Sequence, residues 1–270
     1  MSKRSPLFNI SRMIDESVGK EVPMETSFQQ DLTMCIEKIG AVTGKPSPYY
    51  KPSSLQCIRN MYYQRTETDV DSPSVSADLV GIGESGTDRH LRIQYYISHM
   101  KDYGIDCEYV DVATYIQEHN IPDLEVISKT EYETKLYSPK YNLRFLMDGI
   151  IKYKGTYYIL EIKTESMHKW INRGGVDPSH YNQAYTYSLC LGIPVVFFIY
   201  ENRDCCSKKY YPFTVTDENR QSIVTKLETC ESYVNSGIVP DKPTDIPLKI
   251  CNYCNYKLTC RRDKNAIKTK

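Results

Sequence analysis

Within FLMDGIIKYKGTYYILEIKTES, residues 145–166, Asp148, Glu161 and Lys163 stand among apolar and β-branched residues. Two carboxylates and an ammonium that converge could do chemistry. Carboxylate oxygens suit Mg²⁺ or Mn²⁺. A divalent ion so held polarises a phosphoryl oxygen, activates a water and orients a leaving group. The ammonium could hold the water or offset developing negative charge. This is the chemistry of phosphodiester hydrolysis.

The elements must bring those groups together. Lys154-Gly155 lies between two strand-like runs, which is a hairpin signal. With these two as the turn, Tyr153 pairs with Thr156, and counting outward sets Asp148 opposite Glu161. Directly opposed side chains have Cβ atoms roughly 4.5–5.5 Å apart. Two like charges at that range repel unless a cation sits between them. Lys163 lies two residues beyond Glu161 and so shares its face. The alternative is a solvated hairpin face that happens to carry charge. Apolar neighbours such as Leu146, Met147, Ile150, Leu160 and Ile162 argue instead for strands buried on both sides, where unpaired charge is expensive.

Two flanking segments could complete a site. HYNQAYTYSLCLGIPVVFFIY, from His180, predicts a helix over 181–191, a stop at Gly192 and a buried strand over 195–200. Gln183 and Tyr187, four apart, share one face of that helix. Tyrosine is abundant, 24 of 270 residues, so core packing is the ordinary role for Tyr187. Upstream, GIGESGTDRHLRIQYYISHM reads as a Gly-rich turn leading into a helix over about 87–101. His90, Gln94 and Ile97 share a face there, and a lone histidine so placed is usually packed in the core. Further helices are expected over 28–39, 55–64, 111–118 and 221–236, with strands over 128–136 and 210–215. Elements of both kinds predict a mixed sheet with helices on its faces.

Cysteine is the other metal-binding resource. Cys251, Cys254 and Cys260 form a C-x2-C-x5-C run. Three such thiolates could wrap one metal or cluster. No cysteine or histidine follows Cys260, so a fourth ligand must come from earlier, and Cys57 is the best placed. Thiolate ligands alone do not separate zinc from iron–sulfur. The other cysteines (35, 107, 190, 205, 206, 230) are scattered, and burial is the role expected of them. The segment MSKRSPLFNISRM has no secretory apolar core, and no apolar run reaches about 18 residues. A soluble, cytoplasmic protein with reduced cysteines and no membrane partner is therefore expected.

These pieces together resemble a known family. Asp148, followed thirteen positions later by Glu161-Ile162-Lys163, resembles the D…(D/E)-x-K core of the RecB-like nuclease superfamily. Phe145 stands where many members have glycine, and Gly149 follows the aspartate instead. Gln183-x-x-x-Tyr187 resembles the third motif of that family, whose glutamine and tyrosine line the active site and approach DNA. Gly86-x-x-x-His90 is similar to the segment that gives the metal a histidine ligand. Glu133 resembles a family glutamate near the site, with Glu131 an equal choice. Cys57 ahead of the core, with Cys251, Cys254 and Cys260 behind it, resembles the iron–sulfur branch, which includes AddB-type nucleases and CRISPR-adaptation exonucleases. A [4Fe-4S] cluster staples the chain ends there; zinc is the runner-up.

The resemblance spans about residues 55–262. It implies an α/β, restriction-endonuclease-like mixed central sheet flanked by helices, with its ends joined by the cluster. It implies a nuclease domain over 53–270, and leaves 1–52 without a functional reading. The implied activity is a metal-dependent DNA nuclease, an exonuclease on single strands or DNA ends, acting in recombination, repair or processing. Asp148, Glu161 and His90 would ligate Mg²⁺ or Mn²⁺, Lys163 would activate water, and Gln183 and Tyr187 would position DNA. A helicase or recombination protein would be a partner. The alternative is a DNA-end-binding or adaptor module of the same fold that has lost catalysis. Positive and negative residues balance, 34 against 34. That suits a local basic groove better than a long duplex footprint, and tyrosines could add the base stacking that favours single strands.

Overall fold

A computed structural model of the chain describes residues 23–41, 47–71, 75–244 and 246–263. Most of the N-terminal region, residues 1–22 and 42–46, lies outside these. Two compact units are distinguished, residues 1–43 with 73–84, and residues 44–72 with 85–270. The first holds helix α1 (Met24–Ile39). Gly40 closes that helix against Val80, whose Cγ2 would lie 2.2 Å from any Cβ at position 40.

The second unit carries the site. A 3₁₀ turn, Pro52–Gln56, leads into α2 (Ile58–Arg65). Helix α3 (Ala77–Ser98) contributes its later turns to this unit. Strand β1 (Cys107–Val110) and helix α4 (Val112–Glu118) follow, the helix capped by the Asp111 side chain on Thr114 N. Three strands come next, β2 (Glu125–Lys129), β3 (Thr134–Ser138) and β4 (Leu143–Met147). After them come β5 (Gly149–Tyr153), β6 (Thr156–Glu165) and the short α5 (Met167–Ile171). Helix α6 (Tyr181–Leu191), β7 (Val195–Asn202), β8 (Lys208–Thr214) and α7 (Asp217–Ser236) complete the core. Two short helices, α8 (Leu248–Asn252) and α9 (Lys257–Arg262), close the described chain.

The strands form two sheets, β1-β5-β6-β7-β8 and β2-β3-β4. Within the larger, β6 and β7 are parallel and the other neighbours antiparallel. A parallel pair needs a crossover, and α5 and α6 supply it. On one face Ile93 and Ile97 of α3 pack with Ile151, Leu160, Ile162 and Ile199. On the other, Ala184, Tyr187 and Leu191 of α6 pack with Ile150, Ile159 and Phe198. The fold is thus α/β, a mixed sheet flanked by helices, as expected. Coverage on both faces explains why Ile159 to Ile162 are all buried.

The hairpin has the expected register, from Tyr153↔Thr156 out to Gly149↔Leu160. Lys154 and Gly155 take φ of 49° and 80°. Two positive values are the signature of a type I′ turn, whose twist matches the strands it joins.

Several expectations are corrected. The run 145–153 is not one strand: it breaks at Asp148, with β4 in the small sheet and β5 in the large one. Leu146, expected in the core, is 48% exposed. The stretch 128–136 is two strands around a turn closed by Thr130 N on Glu133 O, 2.9 Å. Gly81, Gly83 and Gly86 lie inside α3 rather than in a turn before it. Cys57 precedes its helix in extended conformation, φ −143°, and serves as its N-cap residue. Cys107 and Cys230 are buried, whereas Cys35, Cys205 and Cys206 are exposed.

Candidate active site

Asp148 belongs to neither sheet, and both point at it. The last pair of the large-sheet hairpin is Gly149↔Leu160, so one further step brings Glu161 beside Asp148. The last pair of β3–β4 is Thr134↔Met147, so one step brings Glu133 to its other side. The break itself is built from Gly149, whose φ of 144° disfavours any side chain. A Cβ there would meet the Tyr109 hydroxyl at 2.2 Å. That hydroxyl lies against the carbonyls of Asp148 and Tyr132, and the buried Gln94 donates Nε2 to the Asp148 carbonyl at 2.7 Å.

The Asp148 carboxylate is itself buried, 7% exposed. Its Oδ2 accepts the Ile162 N–H at 2.6 Å, and its Oδ1 lies 3.1 Å from His90 Nδ1. With a carboxylate as the acceptor, Nδ1 carries the proton and Nε2 keeps the lone pair of the neutral ring. Burial works to raise the Asp148 carboxyl. The hydrogen bond and charge of His90, the charge of Lys163 and the Ile162 N–H outweigh it, so the group is held below its ordinary value. Burial works against the His90 cation, yet the bond to Asp148 and its charge raise the imidazole.

Glu161 is 2% exposed. Burial pushes its carboxyl up to about 7; Lys163 opposes this and Asp148 adds to it. Its Oε1 is ion-paired with Lys163 Nζ. Its Oε2 is buried without a hydrogen-bond partner among the described residues. Burial disfavours the Lys163 ammonium, but the charges of Glu161 and Asp148 raise it, so the cation is kept. A lone carboxylate oxygen facing inward is expensive unless a proton or a cation meets it.

The ligand atoms of His90, Glu133 and Asp148 all lie within 4.8 Å of one another. The expected triplet was His90, Asp148 and Glu161; Glu133 joins His90 and Asp148 from the other side, while Glu161 Oε1 is paired with Lys163. Glu133 rather than Glu131 is the residue brought in. Glu131 is exposed, while burial and the Asp148 charge raise the Glu133 carboxyl. The family resemblance offered Glu133 and Glu131 alike, and the β3–β4 register separates them. Nitrogen and carboxylate donors of this number fit Mn²⁺ or Mg²⁺, and the orphaned Oε2 of Glu161 fits with them.

Gln183 and Tyr187 share a face of α6 and are bonded to each other, Nε2 to the phenol oxygen at 2.7 Å. Tyr187, expected to approach DNA, is 1% exposed. Its hydroxyl donates to the Leu146 carbonyl at 2.8 Å and braces the strand leading into Asp148.

The four cysteines converge apart from this site. Cys57 and Cys254 each lie within electrostatic reach of the other three thiols. Cys254 Sγ accepts N–H bonds from Tyr256 N at 3.4 Å and Asn60 Nδ2 at 3.7 Å. Arg59, 2% exposed, bonds the carbonyls of Pro240 and Cys260 at 2.6 and 2.8 Å, and the Cys260 sulfur at 3.3 Å. Burial raises the Cys57 and Cys254 thiols. Among the described residues no three of these thiols lie within 4.8 Å of one another. The tail is also pinned directly, by Tyr63 on Asp263 at 2.6 Å and by Asp71 on Thr259 N at 3.0 Å.

Neither a protein-family model nor a curated protein matches the chain. Solved structures do. The crystal structure of SSO0001 aligns over 88% of this chain and 96% of its own, at 16% identity and a TM-score of 0.45. An alkaline exonuclease (LHK-Exo) from Laribacter hongkongensis aligns over 71% and 90%, at 14% and 0.42. The structure of LHK-Exo in complex with dAMP aligns over 70% and 89%, at 14% and 0.41.

Proposed function

We propose that this chain is a divalent-metal-dependent DNA nuclease of the RecB-like, restriction-endonuclease-like kind. Single strands or free DNA ends are its substrate, and recombination, repair or DNA processing is its setting, beside a helicase or recombination partner. One observation carries this: the buried Asp148 at the joint of two sheets, with Glu133 and His90 on one side and the Glu161–Lys163 pair on the other. Buried, like-charged carboxylates so close together destabilise the fold unless a cation is their purpose.

His90, Glu133 and Asp148 would hold Mg²⁺ or Mn²⁺, with Glu161 Oε2 beside them. Such an ion, when bound, polarises the phosphoryl oxygen and makes water a better nucleophile. Lys163 keeps its proton, so its ammonium can donate to the oxygen of the attacking water or to charge growing on the phosphoryl group. Glu161 Oε1 aims that ammonium. The Ile162 N–H fixes Asp148 Oδ2 and leaves Oδ1 to face His90. Gln183 and Tyr187 hold the strand before Asp148 rather than the substrate.

Cys57, Cys251, Cys254 and Cys260 would hold a [4Fe-4S] cluster, which supplies a rigid cross-link between the two ends of the nuclease domain. Arg59 and the Tyr256 N–H steady the sulfurs. Anaerobic purification should give a brown protein with iron, and Cys254→Ser a colourless one; a colourless wild type loaded with zinc would replace the cluster by zinc.

The decisive assay is cleavage of end-labelled single-stranded DNA with Mn²⁺, with and without EDTA. Asp148→Ala and Lys163→Ala should each lower the rate at least about 10³-fold with an unchanged circular dichroism spectrum. Full activity in either folded variant would end this assignment. Substrates blocked at the 5′ or the 3′ end set the polarity.

A further inference from the structure

A cavity of about 370 Å³ opens beside Lys163. Its lining comes from five parts of the chain: the 3₁₀ turn at Ser53 and Gln56, the β6 end at Lys163, the 169–180 segment, Tyr200 of β7, and the α8 region at Ile250 and Tyr253. The polar groups in it divide into those already used and those left over. Arg173 is used: its Nε is 2.8 and 2.9 Å from the Glu165 oxygens, and its Nη2 is 3.2 Å from Asp177 Oδ2. Lys169 is left over, being exposed and without a carboxylate partner among the described residues.

His180 is left over in a more specific sense. The Tyr200 hydroxyl accepts the Asp177 N–H at 3.1 Å and lies 2.8 Å from His180 Nδ1. Where that hydroxyl gives its proton to Nδ1, the neutral ring carries its hydrogen on Nε2. Burial, with the Lys163 charge adding, pushes His180 down to about 3, so the ring stays neutral. The imidazole is stacked on Phe198 and Tyr200 and cannot readily turn. It is a fixed, neutral N–H donor next to the site. Tyr253 completes the wall. It is 64% exposed, and stands between Cys251 and Cys254.

We propose that this cavity is the subsite for one unpaired nucleotide next to the scissile phosphate, an inference that rests on the nuclease reading. Tyr253 gives its ring to the base. Lys169 and the His180 Nε2–H meet phosphate oxygens. The volume lies at the small end of ligand pockets, which suits a single nucleotide. A π-face and an exposed cation, with the Gln56 amide nitrogen held on the Ser179 carbonyl at 2.8 Å, make a subsite that is tolerant of sequence. The substrate is thereby narrowed to single strands or frayed ends.

Binding tests this without cleavage. Fluorescence anisotropy of the full-length, iron-loaded protein with labelled oligothymidylate, no divalent ion added, is the measurement. Tyr253→Ala should weaken binding about tenfold while Tyr253→Phe keeps it. Lys169→Ala should lower the log–log salt slope by about 0.7, the share of one phosphate on a single strand. Blunt duplex should bind more weakly than the single strand. Iron content is measured in each variant; where a Tyr253 change removes iron, the Lys169 variant, on a different element, decides. Wild-type affinity in Tyr253→Ala with iron retained, or an unchanged slope in Lys169→Ala, overturns the subsite. If the wild type cuts DNA all the same, the nuclease reading stands without it; if the wild type neither binds nor cuts, both fall.

Discussion

The hydroxyl of Tyr187 donates to the carbonyl of Leu146 at 2.8 Å, two residues before Asp148 in the chain. Gln183 Nε2, one turn earlier in α6, donates to the Tyr187 hydroxyl oxygen at 2.7 Å. Tyr187→Phe would leave a carbonyl and an amide without partners, at about 1–2 kcal/mol. The expected result is a lower urea midpoint and a cleavage rate down about tenfold with KM little changed. An equal loss of binding and rate would instead mark Tyr187 as a substrate contact.

Glu133 and Glu131 are two residues apart, and only the first lies within 4.8 Å of the His90 and Asp148 ligand atoms. Glu133→Gln should shift the Mn²⁺ concentration for half-maximal cleavage upward by about 10–100-fold. Glu131→Gln should leave it in place. Equal shifts in the two would remove Glu133 from the ligand set.

Gly149 takes a φ of 144° with the Tyr109 ring against it. Gly149→Ala therefore meets both a backbone penalty and a steric one. A loss of at least about 1–3 kcal/mol is expected in chemical denaturation, together with lost cleavage, since the Asp148 carbonyl must move. A variant as stable and active as the wild type would show that the joint tolerates a side chain.

Asp177 gives the pH dependence of the fold beside the site. Burial would raise its carboxyl, but the Ser179 hydroxyl and N–H, with Arg173, draw it well below the ordinary range. The folded value thus lies under the unfolded one, near 3.9. Its contribution is complete above the unfolded value and is lost as pH falls through the folded one. The melting temperature of the wild type should drop more steeply than that of Asp177→Asn between about pH 5 and pH 2. Parallel slopes would exclude this carboxylate.

Sequence reached some parts of this site and stopped short of others. Lys154-Gly155 was legible because a type I′ turn has a local code, and its register carried Glu161 to Asp148 without further help. The break at Asp148 was not legible. Phe145 to Tyr153 has uniform strand character, and the agents that divide it, Tyr109 and Gln94, come from distant elements. Gly81, Gly83 and Gly86 carry local turn chemistry, yet α3 runs through all three; a Cβ at Gly86 would come to 3.8 Å from Thr164 Oγ1. Tyr187 kept its motif spacing but not its expected exposure, because spacing fixes a helix face and not what covers it. Counting ligands asked only for an earlier fourth residue, and the family resemblance pointed to Cys57, whereas the role of Arg59 needed its buried contacts.

Asp148 hangs between two ladders that meet nowhere else along the chain's course from β4 to β5. Each ladder could loosen by a fraction of an ångström and still remain a sheet. The carboxylate, answering to both, would feel the sum of their errors. Such a molecule should go silent in mild urea well before its spectrum reports any melting, with function as the more sensitive gauge of its integrity.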